Sequence, residues 1–363
     1  MSFIILMAFI AVMLLFIFIE IKWLQVFLEK KFLLLIIVFA VCLIFMFRDG
    51  VLLSTDYDNY KVMYETFPSD YGVNVIRRIE PLFGGMIYSF NAAGVGADNF
   101  IRFVAFLQFY IIFIFIGRTK VIYPATFFLF FISSSFFYNF GANTIRQGLA
   151  FSFILLSLLS RSKFNVVLFM LLASMTHYSA MFLFPVVLLA PKAIDVIFKN
   201  RLFTVGLLSS SVMTFLFDFS WILSFLLSAI SGNDVFSRLE SNFSAGELAT
   251  SGRIYYIIAF ILINIIVIFN KKITLILDGN SLCDVQVFKK ITFILLCSVL
   301  FYPILYNVNV FVRVFSYGFI FILPLISIIS CVFFNKRDLV FILPGMFFIS
   351  LFGLHYMLGF LII

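Results

Sequence analysis

Long apolar runs, broken at short intervals by pairs of basic residues, leave this chain few possible folds. About 20 apolar residues are what a helix needs to cross a bilayer. The runs recur along the whole chain and are continuous, without the strict alternation of a barrel strand. In hydrocarbon every backbone N–H and C=O needs an internal partner, so such runs imply helices. Composition agrees: 64% of residues are hydrophobic and only 12% charged, against about 25% charged in an ordinary soluble domain. One water-soluble core cannot hide that much apolar surface. The expectation is all-α, a polytopic membrane helix bundle forming a single integral membrane domain over residues 1–363.

The basic pairs set a topology. They are Lys30 and Lys31, Arg118 and Lys120, Arg161 and Lys163, Lys199 and Arg201, Lys271 and Lys272, Lys289 and Lys290, and Lys336 and Arg337. Read as short connections, they belong in the cytoplasm by the positive-inside rule. About twelve spans satisfy them all, with both termini outside: 3–20, 32–47, 101–117, 121–139, 144–160, 164–176, 178–190, 202–217, 253–269, 291–306, 311–333 and 339–361. No Lys or Arg precedes residues 3–19 and no A-x-A site follows them, so they read as a first span rather than a cleaved signal peptide. Residues 82–93 are apolar but short, and read as a juxtamembrane or re-entrant helix. Residues 164–190 are too long for one span and read as two short ones, with His177 at their outer apex. Two large periplasmic loops remain, 48–100 and 218–252.

The net charge of +8 does not cluster as a basic patch would, which argues against a nucleic-acid partner. Two His and four Cys offer no metal-site spacing. Cys42, Cys297 and Cys331 lie in apolar runs and Cys283 in a polar loop, so no disulfide framework is suggested. There is no internal repeat, heptad pattern or phosphate-binding glycine motif.

Charges beside spans are costly and usually face a cavity or a partner. On this topology Arg146, His177, Arg253 and Arg313 gather at the outer ends of spans, a set suited to a lipid pyrophosphate, because guanidinium groups match phosphate oxygens with paired donors. If residues 56–64 are helical, Asp56, Tyr57, Tyr60 and Tyr64 share one face. That face suits a sugar, or else belongs to an interfacial aromatic belt. Glu80 stands before Pro81, where it could cap a helix start or hold a carboxylate at the membrane surface. Asn143 reads as the N-cap of a span whose first turn carries Arg146 and Gln147. Arg146 has no acidic neighbour in sequence, and it either snorkels or binds phosphate. His177, flanked by Thr176, Tyr178 and Ser179, is either structural or catalytic. His355 sits in the last apolar run and is given no role.

These pieces come in a recognisable order: Asp56-Tyr57-Asp58-Asn59-Tyr60, Glu80-Pro81, Asn143-Thr144-Ile145-Arg146-Gln147-Gly148-Leu149-Ala150, then His177-Tyr178-Ser179-Ala180. Over about residues 55–180 the order and spacing resemble the EpsG-like group of exopolysaccharide and O-antigen (Wzy-type) polymerases. The later half is similar only in hydropathy and in Arg253 and Arg313. The resemblance implies a bacterial inner-membrane enzyme, GT-C-like, with outer juxtamembrane helices and a periplasmic active face. Its substrate would be an undecaprenyl-pyrophosphate-linked oligosaccharide, moved onto a new lipid-linked repeat unit. No cofactor is implied, since the pyrophosphate linkage is already activated. Membrane lipid and a chain-length regulator protein are the implied partners. In such a reaction Asp56, Glu80 and His177 compete as proton acceptor, or His177 holds the pyrophosphate instead. Arg146, Arg253 and Arg313 would hold the leaving pyrophosphate, and Tyr57, Tyr60 and Gln147 would line the substrate. Rival readings are an O-antigen ligase, a lipid-linked glycan flippase and a membrane O-acetyltransferase.

Overall fold

The computed structural model describes residues 56–66, 80–119, 144–217, 249–280, 284–305 and 309–333. The expected spans 3–20, 32–47, 121–139 and 339–361, and nearly all of the loop 218–252, lie outside them. Among the described residues every regular element is helical, and the chain is a multi-pass helical membrane protein. Three helices there are long and apolar enough to cross a bilayer: Ala97–Phe115, Tyr255–Asp278 and Val285–Leu305. Tyr178–Ala190 and Lys192–Lys199, bent by 63° against each other, add a fourth if they form one span.

The chain divides into two compact units. One holds Met1–Tyr178 and Ser330–Ile363, the other Ser179–Ile329. In the first, α1 (Tyr57–Thr66), α2 (Pro81–Ala92), α3 (Ala97–Thr119), α4 (Ile145–Leu159) and α5 (Lys163–Thr176) follow one another. Helix α4 lies between α3 and α5, with α1 against α3 and α2 against both α3 and α5. The short apolar stretch expected to be a helix is α2. Pro81 sits in its first turn, where its fixed φ suits a helix and its missing N–H costs nothing. It ends on Gly94, at φ 74°. The Val95 N–H reaches the Phe90 carbonyl at 3.0 Å and the Gly94 N–H that of Asn91 at 2.9 Å, a Schellman turn that needs a left-handed residue.

Aromatic packing fastens these helices together. Phe83 is fully buried, edge-on to Phe100 at 5.6 Å and to Tyr60 at 6.2 Å. Around them lie Tyr64, Ile87, Ile101, Val104, Ile145 and Leu149. Burying one such side chain contributes about 1.5–3 kcal/mol. Helix α1 is also stapled by its polar tips. The Tyr57 hydroxyl donates to Asp98 Oδ1 at 2.5 Å, and the Tyr64 hydroxyl donates to the Val95 carbonyl.

In the second unit a 3₁₀ turn continues from Tyr178–Leu183 into α6 (Phe184–Lys199), then α7 (Arg201–Phe217), α8 (Ala249–Asn280), α9 (Val285–Leu305), α10 (Asn309–Phe319) and α11 (Ile322–Phe333), the last few residues of α11 falling in the first unit. Helix α9 is central, packed by α6, α7, α8 and α10. Where α10 crosses α9 the backbones are so close that a Cβ on Gly318 would lie 1.8 Å from Ser298 Oγ.

Three expectations need correction. Lys271 and Lys272 lie within α8, and Lys289 and Lys290 within α9, rather than in connections. Lysine is a good helix former, so nothing local stops these helices at the edge of the apolar run. The run 311–333 is two helices parted by a turn at Ile320 and Phe321. Pro324 has no N–H for the Ile320 carbonyl, which takes the Leu323 N–H at 3.3 Å instead. Thr144, not Asn143, occupies the N-cap of α4. The break expected inside 164–190 is present: α5 stops at Thr176, and His177 is extended at φ −155° and ψ 117°.

Candidate functional site

Glu80 precedes Pro81 in extended conformation, and its carbonyl accepts the Gly84 N–H at 2.9 Å to begin α2. Glu80 holds the N-cap position of α2, but its side chain makes no capping bond, so capping alone does not account for it. Glu80 is 4% exposed, and its carboxylate is shared between two distant residues. Oε2 accepts from Arg146 Nη1 at 2.7 Å, and Oε1 lies 2.8 Å from His177 Nδ1. The Arg146 guanidinium in turn lies 5.8 Å over the centre of the Tyr60 ring, within cation–π range. Arg146 thus has the acidic partner that its sequence neighbourhood lacks.

Each side chain arrives by a local rule. Pro81 fixes where α2 starts and so where Glu80 stands. Arg146 is in the first turn of α4, anchored from α3 by the buried Gln108, whose Nε2 donates to the Ile145 carbonyl at 2.9 Å. His177 is the residue at which α5 ends, its N–H still bonded to the Ala173 carbonyl at 2.9 Å. Tyr60 projects from the buried face of α1.

The electrostatics are those of an ionised carboxylate kept dry. Burial pushes the Glu80 carboxyl up, but the His177 hydrogen bond and the Arg146 charge outweigh it and hold it below the ordinary value. Burial raises the Tyr60 phenol against the pull of Arg146, so the ring beneath the guanidinium is neutral. Two nitrogens flanking the carboxylate, Arg146 Nε and His177 Nε2, are buried and find no hydrogen-bond partner among the described residues. Buried polar atoms are nearly always satisfied, so both nitrogens are open to a polar partner beyond the described residues.

The structure brings together Tyr60, Glu80, Arg146 and His177. Asp56 stands just before α1, half-exposed, accepting from Asn59 Nδ2 at 3.4 Å. Tyr57 turns its hydroxyl to Asp98. Gln147 is buried in the first turn of α4. Arg253, in α8, and the exposed Arg313, in α10, belong to the second unit, and the Arg253 side chain lies outside the described residues. Sequence reading missed Gln108 and Asp98. A polar residue in an apolar helix was the available signal for Gln108. Asp98 offered none, because an acid in the first turn of a helix is ordinary.

The EpsG family model matches residues 31–361, nearly the whole chain, and the protein belongs to the EpsG family. No curated protein matches it, and no solved structure does.

Proposed function

We propose that this EpsG-family chain is a multi-pass membrane polysaccharide polymerase. It moves a growing glycan from an undecaprenyl-pyrophosphate carrier onto a fresh lipid-linked repeat unit, at the periplasmic face of the bacterial inner membrane. The observation that carries the reading is the buried Glu80 carboxylate held between Arg146 and His177, each of which keeps one nitrogen unpartnered among the described residues. An attacking sugar hydroxyl needs a proton acceptor within hydrogen-bond reach. The leaving pyrophosphate needs cations for its growing charge, each donor being worth about 3–4 kcal/mol. The constellation supports the first need. Arg146, charge-matched by Glu80, shapes the site, with Tyr60 beneath it, Gln147 beside it, and Asp56 and Tyr57 at its outer side. The about twelve-span, GT-C-like bundle with outer juxtamembrane helices belongs to the same reading, and so does a chain-length regulator as partner.

A chain deletion tests it, in a host that displays the polymer on a lipid A core. Loss of a polymerase leaves single repeat units on the core, and plasmid-borne Glu80→Ala should fail to restore the ladder. A deletion strain with no repeat unit on the core would instead indicate a ligase or a flippase and overturn the reading.

A further inference from the structure

Three side chains could accept the acceptor's proton, and their partners separate them. Both Glu80 oxygens are engaged, one by Arg146 and one by His177. Asp56 is half-exposed and shared with Asn59. His177 is 8% exposed and keeps one ring nitrogen unpartnered among the described residues. We infer that His177 takes the acceptor hydroxyl's proton through Nε2, and that Glu80 is the positioning residue that fixes the ring for it; this rests on the polymerase reading above.

The chemistry follows from the donor inventory. An ionised carboxylate only accepts, so the 2.8 Å contact requires the proton on His177 Nδ1. Nε2 of the neutral ring then carries the lone pair. The opposite tautomer would set a lone pair against the carboxylate and leave a buried N–H without an acceptor among the described residues. Backbone geometry holds the arrangement. His177 is extended where α5 ends, and Glu80 is extended before Pro81, so neither side chain follows a helix face. Arg146 keeps Glu80 charged through its other oxygen.

The step balances. As the hydroxyl oxygen attacks the anomeric carbon, its proton passes to Nε2 and the new C–O bond forms. The bond from that carbon to the pyrophosphate oxygen breaks, its electron pair staying on the leaving lipid pyrophosphate. The imidazolium so formed is matched by Glu80 and later returns its proton to water.

Two measurements test this. The chain has two histidines, so ¹⁵N-histidine labelling of the full protein in lipid nanodiscs gives two sets of ring signals, and His355→Gln leaves those of His177. The ring signals should place the proton of His177 on Nδ1, the nitrogen that faces Glu80. Glu80→Gln, whose amide can also donate, should move the ring toward the Nε2–H tautomer. A wild-type His177 protonated at Nε2, alone or with Nδ1, overturns the inference. The second measurement is turnover of the lipid-linked repeat unit extracted from the deletion strain. His177→Asn sets an amide N–H close to where Nδ1 stood, keeps donation to Glu80 and removes Nε2. The expected result is a kcat lower by about 10²–10⁴-fold with KM little changed. Glu80→Gln should lower kcat by more than about tenfold, through the wrong tautomer. Retained kcat in His177→Asn overturns the inference. A wild-type chain that makes no polymer sinks the polymerase reading instead, and the ring signals then decide the Glu80–His177 arrangement without it.

Discussion

Removing the two ends of the Glu80–Arg146 pair should have unequal costs, and exposure says which is larger. The Glu80 side chain is 6% exposed, whereas that of Arg146 retains 24%. Arg146→Gln leaves a buried carboxylate without its cation, and breaking a buried pair in this way costs about 3–5 kcal/mol. Glu80→Gln leaves a guanidinium that still reaches solvent and still stacks on Tyr60, so the cost should stay near about 1–3 kcal/mol, that of an unsatisfied polar group. In the double variant neither charge is stranded. Its cost should therefore fall below the sum of the two singles by about 1.5–3 kcal/mol, at the upper end of couplings between touching residues. Unfolding of the purified chain in mixed micelles, followed by circular dichroism at neutral pH, gives all four corners of the cycle. Singles that add to within about 0.5 kcal/mol would refute the pairing, and Glu80→Gln costing more than Arg146→Gln would refute the burial argument.

The acid limb should report Glu80. Its carboxyl is held below the ordinary value despite burial, by His177 and Arg146, so the unfolded chain binds its proton first as pH falls; stability should hold above the ordinary glutamate range and drop as pH passes through the depressed folded value, and Glu80→Gln should flatten that drop in a pH series of thermal unfolding. Phe83→Ala removes a fully buried ring between Tyr60 and Phe100 and should cost about 3–5 kcal/mol; a loss below about 1 kcal/mol in micelle unfolding would mean that α1, α2 and α3 do not share this core. Gly94→Ala puts a side chain at φ 74° and should cost about 1–2 kcal/mol, measured in the same way. Reporter fusions after Lys163 and Asn200 should read cytoplasmic and a fusion after Thr66 periplasmic, and the opposite pattern would invert the topology.

Helix type and most helix starts follow from sequence, because both are local. An apolar run in lipid closes its own backbone hydrogen bonds, Pro81 fixes the first turn of α2, and residues 164–190 are too long for one crossing. The candidate residues were legible as types: an acid before a proline, a cation opening a span, a histidine between two apolar runs. Their purposes were not. Capping and ion pairing at Glu80 look identical in sequence, and only the fold shows the carboxylate turned from its own helix to Arg146 and His177, 66 and 97 residues away. Likewise Tyr57 and Tyr60 share a helix face, yet α3 gives Tyr57 an acid and α4 gives Tyr60 a guanidinium. The length of α8 past Lys272 and the turn at Ile320 also came from structure, since a run's hydropathy does not mark where hydrogen bonding stops. What decides such matters is which helices pack together, because a charge is stable in a dry place only where distant chain brings its counterpart within hydrogen-bond reach.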